Sequence, residues 1–186
     1  SAAAGLCLSA LKKASDEQTV ELSPVKRSSP NKKAILVVSF GTSYAQTREK
    51  TIGAIEEDFR SAFPEYTIRR AFTSKMIIKK LRERDGIEVD TVAQALEKLE
   101  AEGYSTVICQ PTHVMGGFEF DDVKREVENW KGRFDHIACG WPLLTSSEDY
   151  EQVTEALVQE FSDIPSNAAL VLMGHGTEHP ANATYP

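Results

Sequence analysis

Residues 34–40 read Ala-Ile-Leu-Val-Val-Ser-Phe, and residues 41–44 continue with Gly-Thr-Ser-Tyr. The apolar run is rich in β-branched side chains, which is typical of a strand buried on both faces of a parallel sheet. Apolar residues at helical spacing, Ile52, Ile55 and Phe59, come soon after it. The stretch therefore predicts a strand, a loop and a helix, which is the opening unit of an α/β fold.

The same alternation continues along the chain. Strand patterns are predicted over 34–40, 67–73, 106–114, 136–143 and 168–173. Helical patterns are predicted over 44–62, 74–84, 91–101, 119–130 and 147–161, with Asp90 as the N-cap of the third helix. Short connections between such elements predict a parallel sheet flanked by helices on both faces. Ligands of these sheets bind beyond the carboxyl ends of the strands.

Composition excludes several classes of protein. The chain has 186 residues, 41% hydrophobic and 26% charged, and a formal net charge of −7, with no basic face of the kind that nucleic-acid binders carry. No window approaches 18 uninterrupted apolar residues, so no membrane span is expected. The three cysteines follow no CxxC spacing, which argues against a zinc knuckle or a disulfide framework. A flavodoxin-like nucleotide domain ranks last, because no GxGxxG or GxxxxGK[ST] motif occurs.

The first 33 residues form an extension of different character. They begin Ala-rich and turn polar and basic before the first strand. This composition buries too little apolar surface to offset the entropy of ordering, so we expect a flexible segment. A start at Ser1 favours a periplasmic protein after signal cleavage, and a cytoplasmic protein with a natural extension is the alternative.

Glycines and groups that bind metals or move protons follow three of the predicted strands. The candidate substrate-binding residues at these strand ends are Ser39, Phe40, Gly41, Thr42, Ser43, His113, Glu119, Gly174 and Gly176, and the candidate catalytic residue is His175. The loop after the first strand resembles an anion site at a helix N-terminus, which Arg48 or Lys75 would assist. A simple N-cap by Thr42 or Ser43 fits the same residues.

An internal repeat relates two of these strand ends. Residues 35–42 (ILVVSFGT) align without gaps on residues 170–177 (LVLMGHGT), 135 residues later. Two strands of one sheet can match by chance, and duplication of a whole lobe is the alternative. Together with the flexible extension at 1–33, duplication predicts a first lobe at 34–163 and the start of a second, incomplete lobe at 164–186.

Four stretches together resemble a known family. They are LVVSFGTSY (36–44), RAFTSKMIIKKLRERDGIEVDTVAQALEKLEAEGY (70–104), QPTHVMGG (110–117) with Glu119, and MGHGTEHPANATY (173–185). These residues are similar to the anaerobic sirohydrochlorin cobaltochelatases, the CbiK-type class II tetrapyrrole chelatases. The resemblance covers roughly residues 34–186 and implies two similar α/β lobes with a tetrapyrrole cleft between them, the second lobe being largely absent from this sequence.

The resemblance also implies an activity. It is the ATP-independent insertion of Co²⁺ into sirohydrochlorin or a precorrin-2-type ring in cobalamin biosynthesis, a lyase reaction. Cobalt would be the substrate metal, other divalent ions would be further options, and no organic cofactor is expected. His175 of the GHG motif is implied as metal ligand and proton acceptor. The family's other ligands, a Glu and a His of the second lobe, would fall after residue 186.

Imidazole suits this chemistry, because its pKa near 6.5 leaves it neutral at neutral pH and able to accept a proton. For a lone His beside a strand, a structural hydrogen-bonding role is the competing interpretation. A non-catalytic tetrapyrrole- or metal-binding protein of the same fold is the alternative function. The sequence leaves the oligomeric state open, with a homo-oligomer among the options.

Overall fold

The computed structural model describes residues 31–165, 167–171, 173–174 and 176–180. The predicted flexible extension therefore lies almost wholly outside the described residues, as do His175 and residues 181–186. The strands are β1 (Lys33–Ser39), β2 (Tyr66–Phe72), β3 (Thr106–Pro111) and β4 (His136–Cys139). The helices are α1 (Ala45–Arg48, a π-helical Glu49–Gly53 and Ala54–Ala62 in succession), α2 (Lys75–Asp85), α3 (Val92–Ala101), α4 (Phe118–Asn129) and α5 (Ser147–Glu160).

The four strands form one parallel sheet in the order β2-β1-β3-β4. The central position of β1 explains its sequence, because both faces of the strand are covered and Ala34–Val38 are all buried. The predicted α/β class with a parallel sheet flanked by helices is confirmed. All four strands run in the same direction, so their carboxyl ends meet along one edge of the sheet, which we call the carboxyl edge.

Helices cover the two faces of the sheet separately. On one face, α3 and α4 pack against the even-numbered side chains of β1, including Leu36 and Val38. On the other face, Phe59 of α1 packs against Ile35 and Val37. Each fully buried side chain of this size contributes roughly 1.5–3 kcal/mol, so the two apolar layers hold the helices firmly on the sheet.

Helix α2 lies beyond the end of β2 and so builds part of the carboxyl edge. Ile78 and Leu81 of α2 pack with Phe72 at the end of β2 and with Val89. Ser74 caps the helix by accepting a hydrogen bond from the backbone N–H of Ile77. The backbone N–H of Ser74 in turn donates to the carbonyl of Phe40, which ties the start of α2 to the loop after β1.

The predicted strand over 168–173 is wrong for the residues that are described there. Ala168–Val171 and Met173 have no ladder partner, and Val171 and Met173 are 84% and 94% exposed. A strand exists only where a neighbour satisfies its backbone groups, and neither edge of the four-stranded sheet pairs with the described residues of this run. The apolar pattern alone was therefore insufficient to predict a strand at 168–173.

Smaller boundaries also differ from the predictions. The N-cap of α3 is Thr91, not Asp90, because Thr91 and Gln94 form a reciprocal capping box. Strand β3 ends at Pro111, short of Val114, and β4 ends at Cys139, short of Leu143. Within the described residues, no helix is both long and apolar enough to cross a bilayer.

Candidate active site

The loop after β1 is fixed at the carboxyl edge by short hydrogen bonds. The Thr112 hydroxyl after β3 donates to the buried Ser39 hydroxyl at 2.9 Å. Gly41 has a φ of +97°, and a Cβ there would lie 2.5 Å from the Phe72 ring, so both the backbone and the packing require glycine. The loop thus holds Thr42 and the buried Ser43 in place and leaves the Phe40 ring half exposed.

Two guanidinium groups donate hydrogen bonds to backbone carbonyls of this loop. Arg48 donates to the Thr42 carbonyl at 3.2 Å, and Arg84 of α2 donates to the Ser43 carbonyl. The predicted anion loop is therefore backed by two fixed cations, one of which, Arg48, the sequence had suggested. Whether Ser39, Gly41, Thr42 and Ser43 contact substrate stays a prediction.

His113 stands in the loop after β3 beside Glu119. Its side chain is 12% exposed, and Nε2 lies 3.4 Å from a carboxylate oxygen of the half-exposed Glu119. In the described part of the chain, neither ring nitrogen of His113 has a hydrogen-bond partner. The long 3.4 Å contact with Glu119 is thus the polar contact of this largely buried imidazole, and so little hydrogen bonding is expected where a ligand or water completes the site.

Burial lowers the pKa of His113 from its ordinary value of 6.5, and the neighbouring Glu119 opposes the shift. The ring is therefore neutral at neutral pH, with a free lone pair to accept a proton or a metal. Glu119 sits in the first turn of α4, whose N-cap is Gly117, so Glu119 does not cap that helix.

The loop after β4 supports the loop that carries His113. The N–H groups of Leu143 and Leu144 donate to the carbonyls of His113 and Val114 at 3.0 and 2.7 Å. The amide of Gln110 donates to the Trp141 carbonyl and fills the space beside Gly140, where a Cβ would lie 2.0 Å from its Oε1. The backbone of His113 and Val114 is thus held by the loop after β4.

The segment after the GHG motif docks on the first turn of α4. His179, four residues beyond His175, lies with Nε2 3.2 Å from Asp121. Its ring meets Phe118 edge to face, with centroids 4.8 Å apart. Gly176 has a φ of +74°, a left-handed conformation that favours glycine. Phe118 and Asp121 flank Glu119 in sequence, so the docking of His179 brings this segment to the helix turn that also contacts His113.

Large apolar side chains line the carboxyl edge on the solvent side. Five of them, on the loops and helix starts just described, are 46–75% exposed: Phe40, Tyr44, Met76, Val114 and Phe118. These side chains are the apolar surface that the carboxyl edge offers to a partner. In contrast, no three His, Cys, Asp or Glu side chains of the described residues come together as a metal site.

A match to a family model decides the family. A model described as cobalt chelatase (CbiK) matches residues 33–186, which include every loop of the carboxyl edge. The chain belongs to the cobalt chelatase family. The suspected resemblance is thereby confirmed, and the family match extends through the GHG motif and the segment that docks on α4.

Two curated relatives agree with the cobalt chelatase family. The sirohydrochlorin cobaltochelatase of Salmonella typhimurium (strain LT2) is 48% identical over 154 residues, which are 83% of this chain and 58% of the relative. Sirohydrochlorin cobaltochelatase CbiKC of Nitratidesulfovibrio vulgaris (strain Hildenborough) is 34% identical over 167 residues, 88% of this chain and 58% of the relative. The chain thus spans little more than half the length of these cobalt chelatases.

Sequence reasoning missed two groups at this edge. Asp121 fell within the predicted helix 119–130 and Phe118 in the loop before it, and neither was singled out, because an acidic residue in the first turn of a helix is already explained by the helix dipole. Arg84 and Lys80 on α2 were also missed, because nothing in a helical pattern says that α2 lies across the end of the sheet.

Proposed function

We propose that the full-length protein inserts Co²⁺ into sirohydrochlorin without ATP, as a cobaltochelatase of cobalamin biosynthesis. The observation that carries this proposal is the family match over residues 33–186, supported by two relatives with that name. The surface of the carboxyl edge matches both the flat ring and the carboxylates of this substrate. Exposed rings and aliphatic groups offer a face to a flat macrocycle, and fixed cations stand beside them for its carboxylates.

Metal insertion exchanges one metal ion for two protons. Co²⁺ loses water ligands and binds the four ring nitrogens, while two pyrrole N–H protons leave the macrocycle. A catalyst therefore needs a weakly held metal close to the ring and a neutral base for the protons. Imidazole meets both requirements, and imidazole with carboxylate suits borderline ions such as Co²⁺, although ligand type alone does not select among divalent metals.

We assign the metal-ligand and proton-acceptor roles to His175. The flanking Gly174 and Gly176 carry no side chain, so a flat ring can approach the imidazole closely. The docking of His179 on Asp121 and Phe118 supports this role, since it fixes the segment four residues away. The remaining ligands of the metal are proposed to come from a second lobe that begins near residue 164.

His113 and Glu119 are proposed to contact the same substrate. The His113 ring is neutral, largely buried and without hydrogen-bond partners among the described residues, while Glu119 remains half exposed beside it. A proton taken up by His113 would have a carboxylate 3.4 Å away on the path to solvent. The pair therefore suits transfer of a pyrrole proton from the ring to water.

The test is anaerobic metallation by the full-length protein, followed by the absorbance change of sirohydrochlorin on addition of Co²⁺. His175→Ala is expected to abolish insertion, because it removes both the ligand and the base. His136→Ala is the matched control, since His136 is an exposed imidazole at the opposite end of the sheet. A parent that binds the ring without inserting metal would instead identify a carrier, and a His175→Ala variant as fast as the parent would remove His175 from the mechanism.

A further inference from the structure

Three cations and one exposed aromatic ring lie together at the loop after β1. The Tyr44 ring is 70% exposed, and the Lys80 ammonium of α2 lies 6.0 Å from its centroid. Arg84 of α2 reaches the carbonyl of Ser43, next to Tyr44, and Arg48 of α1 reaches the carbonyl of Thr42. We call Arg48, Lys80 and Arg84 the Tyr44 cation cluster.

The positive charge of the Tyr44 cation cluster exceeds the negative charge of the carboxylate within it. Asp85 is the carboxylate within it, and it is bonded to Arg84 at 2.6 and 2.7 Å. The hydrogen bond from Arg84 lowers the pKa of Asp85, and the nearby charges of Arg84, Arg48 and Lys80 add to that effect against the opposing effect of desolvation. In the part of the chain that the structure describes, Arg48 and Lys80 form no ion pair of their own. Three cations therefore surround the one carboxylate of Asp85, while the nearby Glu83 carboxylate pairs with Lys79 at 3.8 Å, in a chain whose net charge is −7.

The surroundings of the cluster are apolar as well as charged. A shallow groove along the exposed side of α2 is lined by Met76, Lys79, Lys80, Glu83 and Arg84. Tyr44 stands beside Lys80, and Phe40 follows β1 on the same loop. A small inorganic anion needs only the cations, whereas a ligand with a flat apolar body and carboxylates at its rim uses both kinds of surface.

The geometry points to the Tyr44 cation cluster as a specificity site for the peripheral carboxylates of the tetrapyrrole. This inference rests on the proposed function, because it names the part of that substrate which these residues recognise. Lys80 pairs with a substrate carboxylate, the Tyr44 ring contacts the apolar rim of the macrocycle, and Arg84 and Arg48 hold the loop while adding positive potential. Sirohydrochlorin carries eight carboxylates, so a cluster of this kind favours it over rings with two.

Lys80→Met is the sharpest test, because it removes the charge and keeps the aliphatic stem. Lys131→Met is the matched control, since Lys131 is an exposed lysine that follows α4 at the opposite edge of the sheet. In the full-length protein, Lys80→Met should raise KM for sirohydrochlorin about fivefold, the size of one partly exposed ion pair, with kcat unchanged. The rise of KM with added salt should also be shallower than in the parent.

A binding measurement separates this inference from the proposed function. Quenching of protein fluorescence gives the affinity for metal-free uroporphyrin, with eight carboxylates, and for mesoporphyrin, with two. Lys80→Met should weaken uroporphyrin binding severalfold and mesoporphyrin binding much less.

If the parent inserts cobalt but Lys80→Met matches Lys131→Met in KM and in uroporphyrin affinity, the inference is overturned and the proposed function stands. If the parent inserts no cobalt, the proposed function fails. The uroporphyrin comparison then still decides the inference, since weaker binding by Lys80→Met supports a carboxylate site and equal binding refutes it.

Discussion

Replacement of Gly41 by alanine tests how the loop after β1 is built. The residue has a φ of +97°, and a Cβ would lie 2.5 Å from Cδ2 of the Phe72 ring, which is fully buried. The left-handed backbone costs an L-residue about 1–2 kcal/mol, and overpacking against a buried ring adds about 1–3 kcal/mol. Gly41→Ala should therefore lower the free energy of unfolding by about 2–5 kcal/mol.

Gly103→Ala is the reference for the backbone contribution alone. Gly103 has a φ of +81°, but no atom lies within 4 Å of its Cβ position. Its replacement should cost only about 1–2 kcal/mol, so the difference between the two variants measures the clash with Phe72. Guanidinium unfolding of the full-length protein, followed by circular dichroism, provides both values.

A double variant checks that the clash is specific. Phe72→Leu shrinks the ring that the new methyl group meets, so Gly41→Ala should cost about 1–3 kcal/mol less in that background than in the parent. Equal losses for Gly41→Ala and Gly103→Ala, with additive behaviour in the Phe72→Leu background, would refute the packing argument.

Three further outcomes follow from buried polar groups. Glu56→Gln should lower the free energy of unfolding by about 1.5–3 kcal/mol, because the nearly buried Glu56 carboxylate accepts two hydrogen bonds from the Arg70 guanidinium, at 2.6 and 2.7 Å. The exposed neighbour Glu57 is the control, since Glu57→Gln should change the stability little. Gly140→Ala should lower the melting temperature, because the new Cβ displaces the Gln110 amide from its hydrogen bond to the Trp141 carbonyl, at a cost of about 1–3 kcal/mol. An unchanged melting temperature would contradict this. Burial lowers the pKa of His113 in the folded protein, so on acidification the unfolded chain binds a proton at this histidine more readily than the folded chain does. The contribution of the neutral imidazole to the free energy of unfolding is therefore complete above about pH 6.5 and is lost as the pH falls below that value. His113→Gln should therefore flatten the loss of stability on acidification, and an identical pH profile would show that the imidazole is not held neutral.

The sheet was predictable because its central strand has a continuous apolar sequence. Residues 34–40 specify a strand covered on both faces, and β1 indeed lies between β2 and β3. The equally apolar run at 168–173 shows the limit of that argument, because its described residues are exposed and unpaired. Strand formation depends on a neighbour, which a local pattern does not reveal.

The candidate site was predictable only in part. Glycines and histidines at strand ends indicated the right edge of the sheet, since parallel strands bring their carboxyl ends together. The contacts of His179 with Phe118 and of Arg84 with Ser43 depend on where α4 and α2 lie, and helical periodicity gives no information on that. Tertiary placement, not residue type, distinguishes these side chains from other surface residues.

The most direct test of the account is to locate cobalt itself. Crystals of the full-length protein soaked with Co²⁺ and measured at the cobalt absorption edge should give their strongest anomalous peak at coordination distance from the His175 imidazole. A cobalt ion bound elsewhere, with the His175 ring packed into the protein interior, would contradict the proposed chemistry.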